Sequence, residues 1–190
     1  MRAYTRGGDD GSTGLFLGGR VAKDQPIPQA LGAVDEAQAA LGLARGEAEP
    51  GSELDRLLVA AQRDLYVLMA ELATAPENRH RLTPGTTQVT LGMVEALERL
   101  ADELMGRTEL PTDFVLPGED RVSATLELAR TVVRRAERAV VGVAAEGSMV
   151  IPYLNRLSSV VWVMARWQED ERKLAKAETG LVESHDLEEA

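Results

Sequence analysis

The chain has 190 residues, a formal net charge of −10 and no cysteine, which excludes a disulfide framework and a thiolate metal site. Its two histidines, His80 and His185, are far apart in sequence, so we expect no zinc site built on histidine. The acidic balance argues against nucleic acid as a partner, because no net-basic face offsets phosphate repulsion. A polar N-terminus and the lack of a long apolar run predict no membrane segment, and a reducing, cytoplasmic location is the default expectation.

Length and composition favour one helical domain. Hydrophobic residues make up 44% of the chain and aromatic residues only 4%, and the abundant residue types are helix formers. Apolar residues recur at three- and four-residue steps in five segments, which predicts helices over residues 28–45, 53–74, 86–105, 120–145 and 149–171. No convincing alternating strand pattern is present. We therefore predict an all-α fold, a five-helix antiparallel bundle over residues 26–171, with a Gly-rich segment 1–25 before it and a charged, flexible tail 172–190 after it.

The first segment, residues 1–25, is rich in glycine and polar side chains. A segment of this composition is usually a flexible terminus. However, the hydroxyls of Thr5, Ser12 and Thr13 and the cation of Arg6 lie among glycines, and Lys23 follows shortly after them. Glycine lets backbone N–H groups approach phosphate oxygens, so this segment is also a candidate phosphate-binding loop.

The fourth predicted helix carries a charged stripe beside its apolar one. Arg130, Arg134, Glu137 and Arg138 recur at helical spacing, and Arg135 lies beside them. A solvated face with Glu–Arg pairs is the simpler interpretation. The alternative is an anion site, because guanidinium is always charged and its planar fork fits phosphate oxygens.

Three ordered motifs resemble those of the PduO-type ATP:corrinoid adenosyltransferases. They are YTRGGDDGSTG at residues 4–14, FVLPG at 114–118 followed by RTVVRRAER at 130–138, and YLNRLS at 153–158. One Gly-rich loop would be weak support, but three motifs in order are strong. The resemblance implies transfer of the 5′-deoxyadenosyl group of ATP to cob(I)alamin, which yields adenosylcobalamin and triphosphate. It also implies a homotrimer with active sites between subunits.

The resemblance assigns site residues one by one. The residues that it implies for ATP binding are Thr5, Arg6, Gly8, Asp9, Gly11, Thr13, Lys23, Arg134, Arg135, Glu137 and Asn155. The residues that it implies for catalysis are Phe114, Arg130, Arg134 and Glu137, and Phe114 also belongs to the corrinoid site, below the ring. Asp35 is expected to pair with Arg130 of a neighbouring subunit. Mg²⁺ is expected on the ATP phosphates, with Glu137 as a further candidate ligand.

The implied chemistry is an in-line displacement at the ribose C5′, with triphosphate as the leaving group. Cob(I)alamin is itself a strong nucleophile, so the protein needs no nucleophile or general base of its own. It has to align the reacting atoms and stabilise a highly charged leaving group. The expected partners are an electron-donating reductase, which supplies reduced cobalt, and an adenosylcobalamin-dependent enzyme.

Four positions depart from the family pattern: Gly7, Glu119, Glu127 and Ser159. The family often has threonine or asparagine at the first, and usually glycine, histidine and aspartate at the others. Glu127 adds an acid beside the expected polyphosphate site. Two other functions therefore stay open, a non-catalytic relative that holds or delivers adenosylcobalamin and a helical bundle used only for assembly.

Overall fold

The computed structural model describes Tyr4, residues 6–169 and residues 173–175. Five α-helices dominate it, and they are α1 Pro26–Glu47, α2 Glu53–Leu72, α3 Leu91–Met105, α4 Arg121–Val140 and α5 Val150–Gln168. The predicted helical fold is confirmed. The expectation of a chain without strands was wrong, because β1 Ser12–Gly14 and β2 Arg20–Ala22 form an antiparallel hairpin before α1. Tandem glycines hid this hairpin, since glycine carries no strand pattern.

Helix α4 lies at the centre of the helical layer. It packs extensively on α1 and on α5, while α5 also packs on α3 and α1 packs on α2. The buried positions of α1 and α4 are mostly alanine and valine, and such small side chains let packed helices approach closely. The buried positions are Ala30, Val34, Ala37, Leu41 and Ala44 on α1, and Leu126, Ala129, Val133, Ala136 and Val140 on α4. Within the described ranges, none of the helices has the length and apolar character needed to cross a lipid bilayer.

Helix ends differ from the predicted boundaries where capping or glycine decides them. Helix α3 begins at Leu91 rather than at residue 86, because the Thr90 hydroxyl accepts a hydrogen bond from the backbone N–H of Met93. Helix α4 ends at Val140 rather than at residue 145, just before a stretch in which Gly142 and β-branched residues lower helix propensity.

The other two differences are smaller. Helix α1 begins at Pro26, two residues before the predicted start, which agrees with the tolerance of proline in a first helical turn. Helix α5 runs only from Val150 to Gln168, and Ser148 is not its N-cap residue, although the Ser148 hydroxyl accepts from the N–H of Val150 at 3.2 Å. A short 3-10 helix, Pro76–Arg81, occupies part of the predicted polar loop between α2 and α3.

The hairpin is attached to the end of α2. The backbone N–H of Phe16 donates to the carbonyl of Ala73 at 2.9 Å, and the Arg81 guanidinium donates to the carbonyl of Leu17 at 2.9 Å. Buried Glu71 ties the same end of the bundle together, because its carboxylate accepts from the N–H of Val89 at 2.7 Å and from the Ser148 hydroxyl. One end of the bundle is thereby fixed by hydrogen bonds that cross between segments.

Tyr153 and Asp64 form a polar contact between α5 and α2. The Tyr153 hydroxyl donates to an Asp64 carboxylate oxygen at 2.9 Å, and burial raises the pKa of the Tyr153 hydroxyl, so it stays protonated. Burial also raises the pKa of the Asp64 carboxyl above its ordinary value of 3.8, against the opposing effect of the Tyr153 hydrogen bond. Protonated Asp64 therefore stabilises the fold fully below pH 3.8, and this stabilisation is lost as the pH rises through the folded-state pKa.

We predict that Asp64→Asn changes the pH dependence of stability. Asparagine cannot ionise, so the free energy of unfolding of the variant, relative to that of the wild type, should increase as the pH rises above 3.8. This difference should level off above the folded-state pKa of Asp64. Urea denaturation at a series of pH values measures this difference. Asp102→Asn, at an exposed position of α3, is the control and should show a much weaker trend. A pH-independent difference for Asp64→Asn would contradict the assignment.

Candidate functional site

Two adjoining clefts lie along the face of α4 that meets α5. The larger has a volume of about 330 Å³ and a mixed apolar and charged lining of Thr112, Asp113, Phe114, Val115, Pro117, Glu127, Arg130 and Trp162. The smaller, of about 190 Å³, is lined by Arg130, Arg134, Ser158, Ser159 and Trp162. Arg130 and half-buried Trp162 belong to both clefts. Three residues predicted for catalysis, Phe114, Arg130 and Arg134, therefore lie along one continuous surface.

Behind this surface, two arginines and two glutamates form what we call the buried ionic cluster, Glu127, Arg130, Arg166 and Glu169. One Glu127 oxygen accepts from Arg130 Nε at 2.6 Å, and the other lies 3.2 Å from an Arg166 terminal nitrogen. Arg166, only 1% exposed, also contacts Glu169 at 2.7 Å. The negative charge of Glu127, which the sequence analysis expected beside a phosphate site, is thus compensated by Arg130 and Arg166.

Sequence reasoning did not identify Trp162 as a lining residue of the clefts, or Arg166 and Glu169 as members of the ionic cluster behind them. Arg166 had a detectable signal, because it is an arginine inside the apolar run VVWVMARW. A charge within such a run is almost always paired. The i,i+3 spacing to Glu169 names one partner, whereas the contact with Glu127 joins different helices and cannot be seen from spacing.

The arginine run on α4 divides between its two neighbouring helices. Arg134 faces the smaller cleft, and it has no hydrogen bond or ion pair with any residue that the structure describes. Arg135 points towards α1 and pairs with exposed Glu36. Arg134 is therefore a cation available to a ligand at the cleft, while Arg135 already has a carboxylate partner within the chain.

Glu137 and Asn155 meet between α4 and α5. The Asn155 side-chain amide nitrogen donates to a Glu137 carboxylate oxygen at 2.9 Å. The side-chain oxygen of Asn155, Oδ1, accepts a hydrogen bond from the Arg156 guanidinium at 2.6 Å. Arg156 also donates to Glu98 of α3 at 2.7 Å. The structure thus brings together two residues that the sequence assigned to one nucleotide site, and the chain of hydrogen bonds orients the Asn155 amide.

The loop that carries Phe114 is paired with residues 173–175. The N–H of Leu116 donates to the Lys173 carbonyl, and the N–H of Ala175 donates to the Phe114 carbonyl, each at 2.8 Å. The Lys173 ammonium lies 3.4 Å from Glu119, one of the departures from the family pattern. Phe114 itself is 85% exposed, so its ring is available at the larger cleft and does not serve as a core anchor.

The N-terminal hairpin has a defined shape in which the expected phosphate-binding residues cluster. The Lys23 ammonium donates to the Gly8 carbonyl at 2.8 Å, and Thr13 lies opposite Val21 in the strand register. Hydrogen bonds from Ser12, and then the Arg20 charge, hold the pKa of the neighbouring Asp10 carboxyl below its ordinary value. The other expected residues in this segment are Arg6, Asp9 and Gly11, and Gly11 has a φ of 79° that favours glycine. Thr5 lies outside the described residues.

The hairpin and the α4 face remain separate within one chain. Over residues 6–169, no hydrogen bond or ion pair joins the hairpin to Arg130, Arg134, Glu137 or Asn155. Asp35 is exposed on α1 and forms no ion pair with a described residue of its own chain. The described part of the chain also contains no group of three His, Cys, Asp or Glu side chains suited to a metal ion.

The family profile described as "Cobalamin adenosyltransferase" matches residues 3–168, which span both groups of site residues. The chain belongs to this family. Among curated members, the corrinoid adenosyltransferase PduO of Salmonella typhimurium is 37% identical over 174 residues, covering 90% of this chain and 51% of that protein. A corrinoid adenosyltransferase of Citrobacter freundii is 37% identical over 88% of this chain and 95% of that protein.

Solved structures agree with this family assignment. A variant of the PduO-type ATP:corrinoid adenosyltransferase from Lactobacillus reuteri, complexed with cobalamin and ATP, has a TM-score of 0.80 and 25% sequence identity. The match covers 94% of this chain and 98% of that one. The chain spans about half the length of the PduO proteins of Salmonella typhimurium and Citrobacter freundii.

We predict that Gly8→Ala weakens anion binding by the hairpin. An added Cβ would lie 3.0 Å from the Lys23 ammonium and 3.1 Å from the Ser12 carbonyl oxygen, so the loop backbone would have to shift. The dissociation constant for tripolyphosphate, measured by calorimetry, should rise about ten-fold, which corresponds to about 1.4 kcal/mol. Gly14→Ala is the matched control, because a Cβ there meets nothing within 4 Å. Equal affinities of the two variants would argue against a close approach at Gly8.

Proposed function

We propose that this protein is an ATP:corrinoid adenosyltransferase, which transfers the 5′-deoxyadenosyl group of ATP to the cobalt of cob(I)alamin and releases triphosphate. The observation that carries the proposal is one surface that combines three features. Arg134, which has no ion pair with a described residue, lies there beside Arg130 and Trp162, and exposed Phe114 adjoins them. Membership of the family supports the same reaction. The bond that forms joins cobalt to C5′, the bond that breaks joins C5′ to the triphosphate oxygen, and cob(I)alamin supplies the electron pair.

The cations of this surface suit a leaving triphosphate. Arg134 is exposed at the smaller cleft, and its fork can bind two oxygens of one phosphate. Lys23 and the hairpin backbone provide a second set of donors. As the C5′–oxygen bond breaks, negative charge grows on the leaving oxygen, so donors already in place stabilise the transition state more than the ground state. Arg135 lies on the α1 side of α4, so it joins phosphate binding only after it exchanges Glu36 for a phosphate oxygen.

The larger cleft suits a corrinoid. Phe114, Val115, Pro117 and Trp162 supply apolar surface for a flat macrocycle. We place Phe114 below the ring, where its side chain excludes the lower axial ligand. Cobalt(II) without that ligand is easier to reduce, so Phe114 serves the reduction step rather than the transfer step.

The active site is completed between subunits of a homotrimer. Supporting this is the lack of any hydrogen bond or ion pair between the hairpin and the α4 face among the described residues of one chain, which leaves each with only part of the expected ATP contacts. Exposed Asp35 pairs with Arg130 of a neighbouring subunit. Arg130 can accommodate this partner, because Glu127 engages its Nε and leaves its terminal nitrogens for a second carboxylate.

Magnesium enters with ATP. The described residues offer no three-carboxylate cluster, so the ion is held mainly by phosphate oxygens, with Glu137 as one candidate protein ligand. We further propose a cytoplasmic location, a reductase that supplies the electron for cobalt, and delivery of the product to an adenosylcobalamin-dependent enzyme. We also propose that the chain divides into an N-terminal phosphate-binding loop, residues 1–25, a helical bundle domain, residues 26–171, and a charged C-terminal tail, residues 172–190.

We predict that Arg134→Ala lowers both kcat and kcat/KM for ATP by about 10²–10³, because a charged donor to the developing anion is lost. Arg134→Lys should recover only part of the rate, since an ammonium lacks the bidentate fork. The measurement is the MgATP-dependent loss of the cob(I)alamin spectrum. Arg99→Ala is the control, because Arg99 is an exposed arginine of α3 that pairs with Glu95.

Three outcomes of this assay, combined with titrations that measure corrinoid and ATP binding, count against parts of the proposal. Normal turnover of Arg134→Ala at saturating MgATP would remove the phosphate-site assignment. A wild-type protein that binds corrinoid and ATP without turnover would be the non-catalytic relative that holds or delivers adenosylcobalamin. A protein that binds neither would be a bundle used for assembly alone.

We predict a particle of about three times the chain mass of 20.5 kDa by light scattering, and weaker assembly in Asp35→Asn. Removing one partner of a buried ion pair costs about 3–5 kcal/mol because it strands the other charge. Glu36→Gln is the matched control, since Glu36 is adjacent on α1 and pairs within its own chain. A wild-type monomer at micromolar concentration contradicts the trimer. Equal effects of the two substitutions contradict the Asp35–Arg130 pair.

A further inference from the structure

Glu127 occupies a distinctive place in the buried ionic cluster. It is 5% exposed and bridges two arginines, one on its own helix and one on α5. Arg166 keeps a second carboxylate, Glu169, whereas Arg130 has no carboxylate other than Glu127 among the described residues. The two glutamates therefore contribute equally to the charge balance of the cluster but unequally to Arg130.

The contact between Glu127 and Arg130 is directional. Glu127 accepts from Nε, on the side of the guanidinium next to the aliphatic stem, at 2.6 Å. A hydrogen bond at Nε fixes the rotation of the planar group about the end of its side chain and leaves the terminal nitrogens free to donate elsewhere. Arg130 lines both clefts, so this restraint determines how those nitrogens are presented to a ligand or a neighbouring carboxylate.

We propose that Glu127 is a positioning residue that holds Arg130 at the junction of the two clefts, with Arg166 holding the Glu127 carboxylate in place. This inference rests on the proposed function for its kinetic consequence, but the geometry that it describes does not. Burying Glu127 is tolerable because Arg166 and Arg130 each compensate its charge. The contact of Glu127 with Arg166 between α4 and α5 thus fixes the orientation of the Arg130 guanidinium at the surface of the clefts.

The simpler alternative is that the cluster only stabilises the fold. Glu127→Gln and Glu169→Gln separate the two roles, because each removes one negative charge from the same cluster and one of the two described carboxylates that contact Arg166. Among the described residues, Glu169 makes no ion pair with Arg130. If the cluster is only structural, both variants lose stability and activity together. If Glu127 positions Arg130, only Glu127→Gln loses activity in the folded protein.

The kinetic test compares these variants with Arg130→Lys, at a temperature where urea denaturation shows each to be folded. A misplacement of about 1 Å can cost about 10²-fold in rate, so kcat/KM should fall about 10–100-fold in Glu127→Gln. Glu169→Gln should stay within about two-fold of the wild type. A lysine ammonium can meet either Glu127 or a cleft ligand, so Glu127→Gln should cost nothing further in the Arg130→Lys background. Additive losses, or equal losses in the two glutamine variants, would overturn the proposal.

A spectroscopic test does not depend on turnover. In protein with ¹⁵N-labelled arginine, the Arg130 Nε–H resonance, identified by its disappearance in Arg130→Lys, should exchange slowly with solvent. Exchange should accelerate in Glu127→Gln and stay slow in Glu169→Gln. Absence of wild-type turnover would remove the proposed function and leave this result standing. Unchanged exchange in Glu127→Gln would overturn the positioning role whether or not the protein turns over.

Discussion

Buried Glu127 connects buried Arg166 to partly exposed Arg130 between α4 and α5, and the candidate site depends on this connection. Removing a charge from water costs several kcal/mol, and the cost is offset only when partners are close and well oriented. Glu127 meets this condition by contacting Arg130 and Arg166 at 2.6 and 3.2 Å. Because Arg166 is almost fully buried while Arg130 reaches the clefts, the cluster connects the interior of the bundle to its functional surface.

Helix α4 supports both the core and the site because its side chains divide by helical periodicity. Positions such as Ala129, Val133 and Ala136 are buried in the core. Arg130, Arg134 and Glu137 turn towards α5 and the clefts, at offsets that keep them on a common face. The charged face is therefore held by the same packing that stabilises the fold, which gives the guanidinium groups the rigid support that electrostatic stabilisation requires.

Features set by local periodicity were predictable, and features set by long-range contacts were not. The five helices and the charged stripe of α4 follow from spacing within single segments. The contact of Glu127 with Arg166 joins distant segments, and the N-terminal hairpin depends on glycine conformations and on a hydrogen bond from Phe16 to Ala73. The predicted start of α3 was wrong because the N-cap residue Thr90, rather than the stripe of apolar residues, determines where the first turn begins. The split of Arg134 from Arg135 also needed the structure, since adjacent residues can face different helices.

The cations expected to meet phosphate are held differently, and the difference bears on how binding proceeds. Among the described residues, Arg134 has no carboxylate partner to displace, whereas Arg135 must leave Glu36. Lys23 donates to the neutral carbonyl of Gly8, and exchange of that acceptor for an anionic phosphate oxygen gains a charge-assisted hydrogen bond. In a chain with a net charge of −10, long-range attraction does not draw ATP to the protein. The affinity for ATP must then come from short-range contacts. These contacts are most favourable at cations that have no carboxylate to displace, such as Arg134, which has no ion pair with a described residue, and Lys23, which donates to a neutral carbonyl.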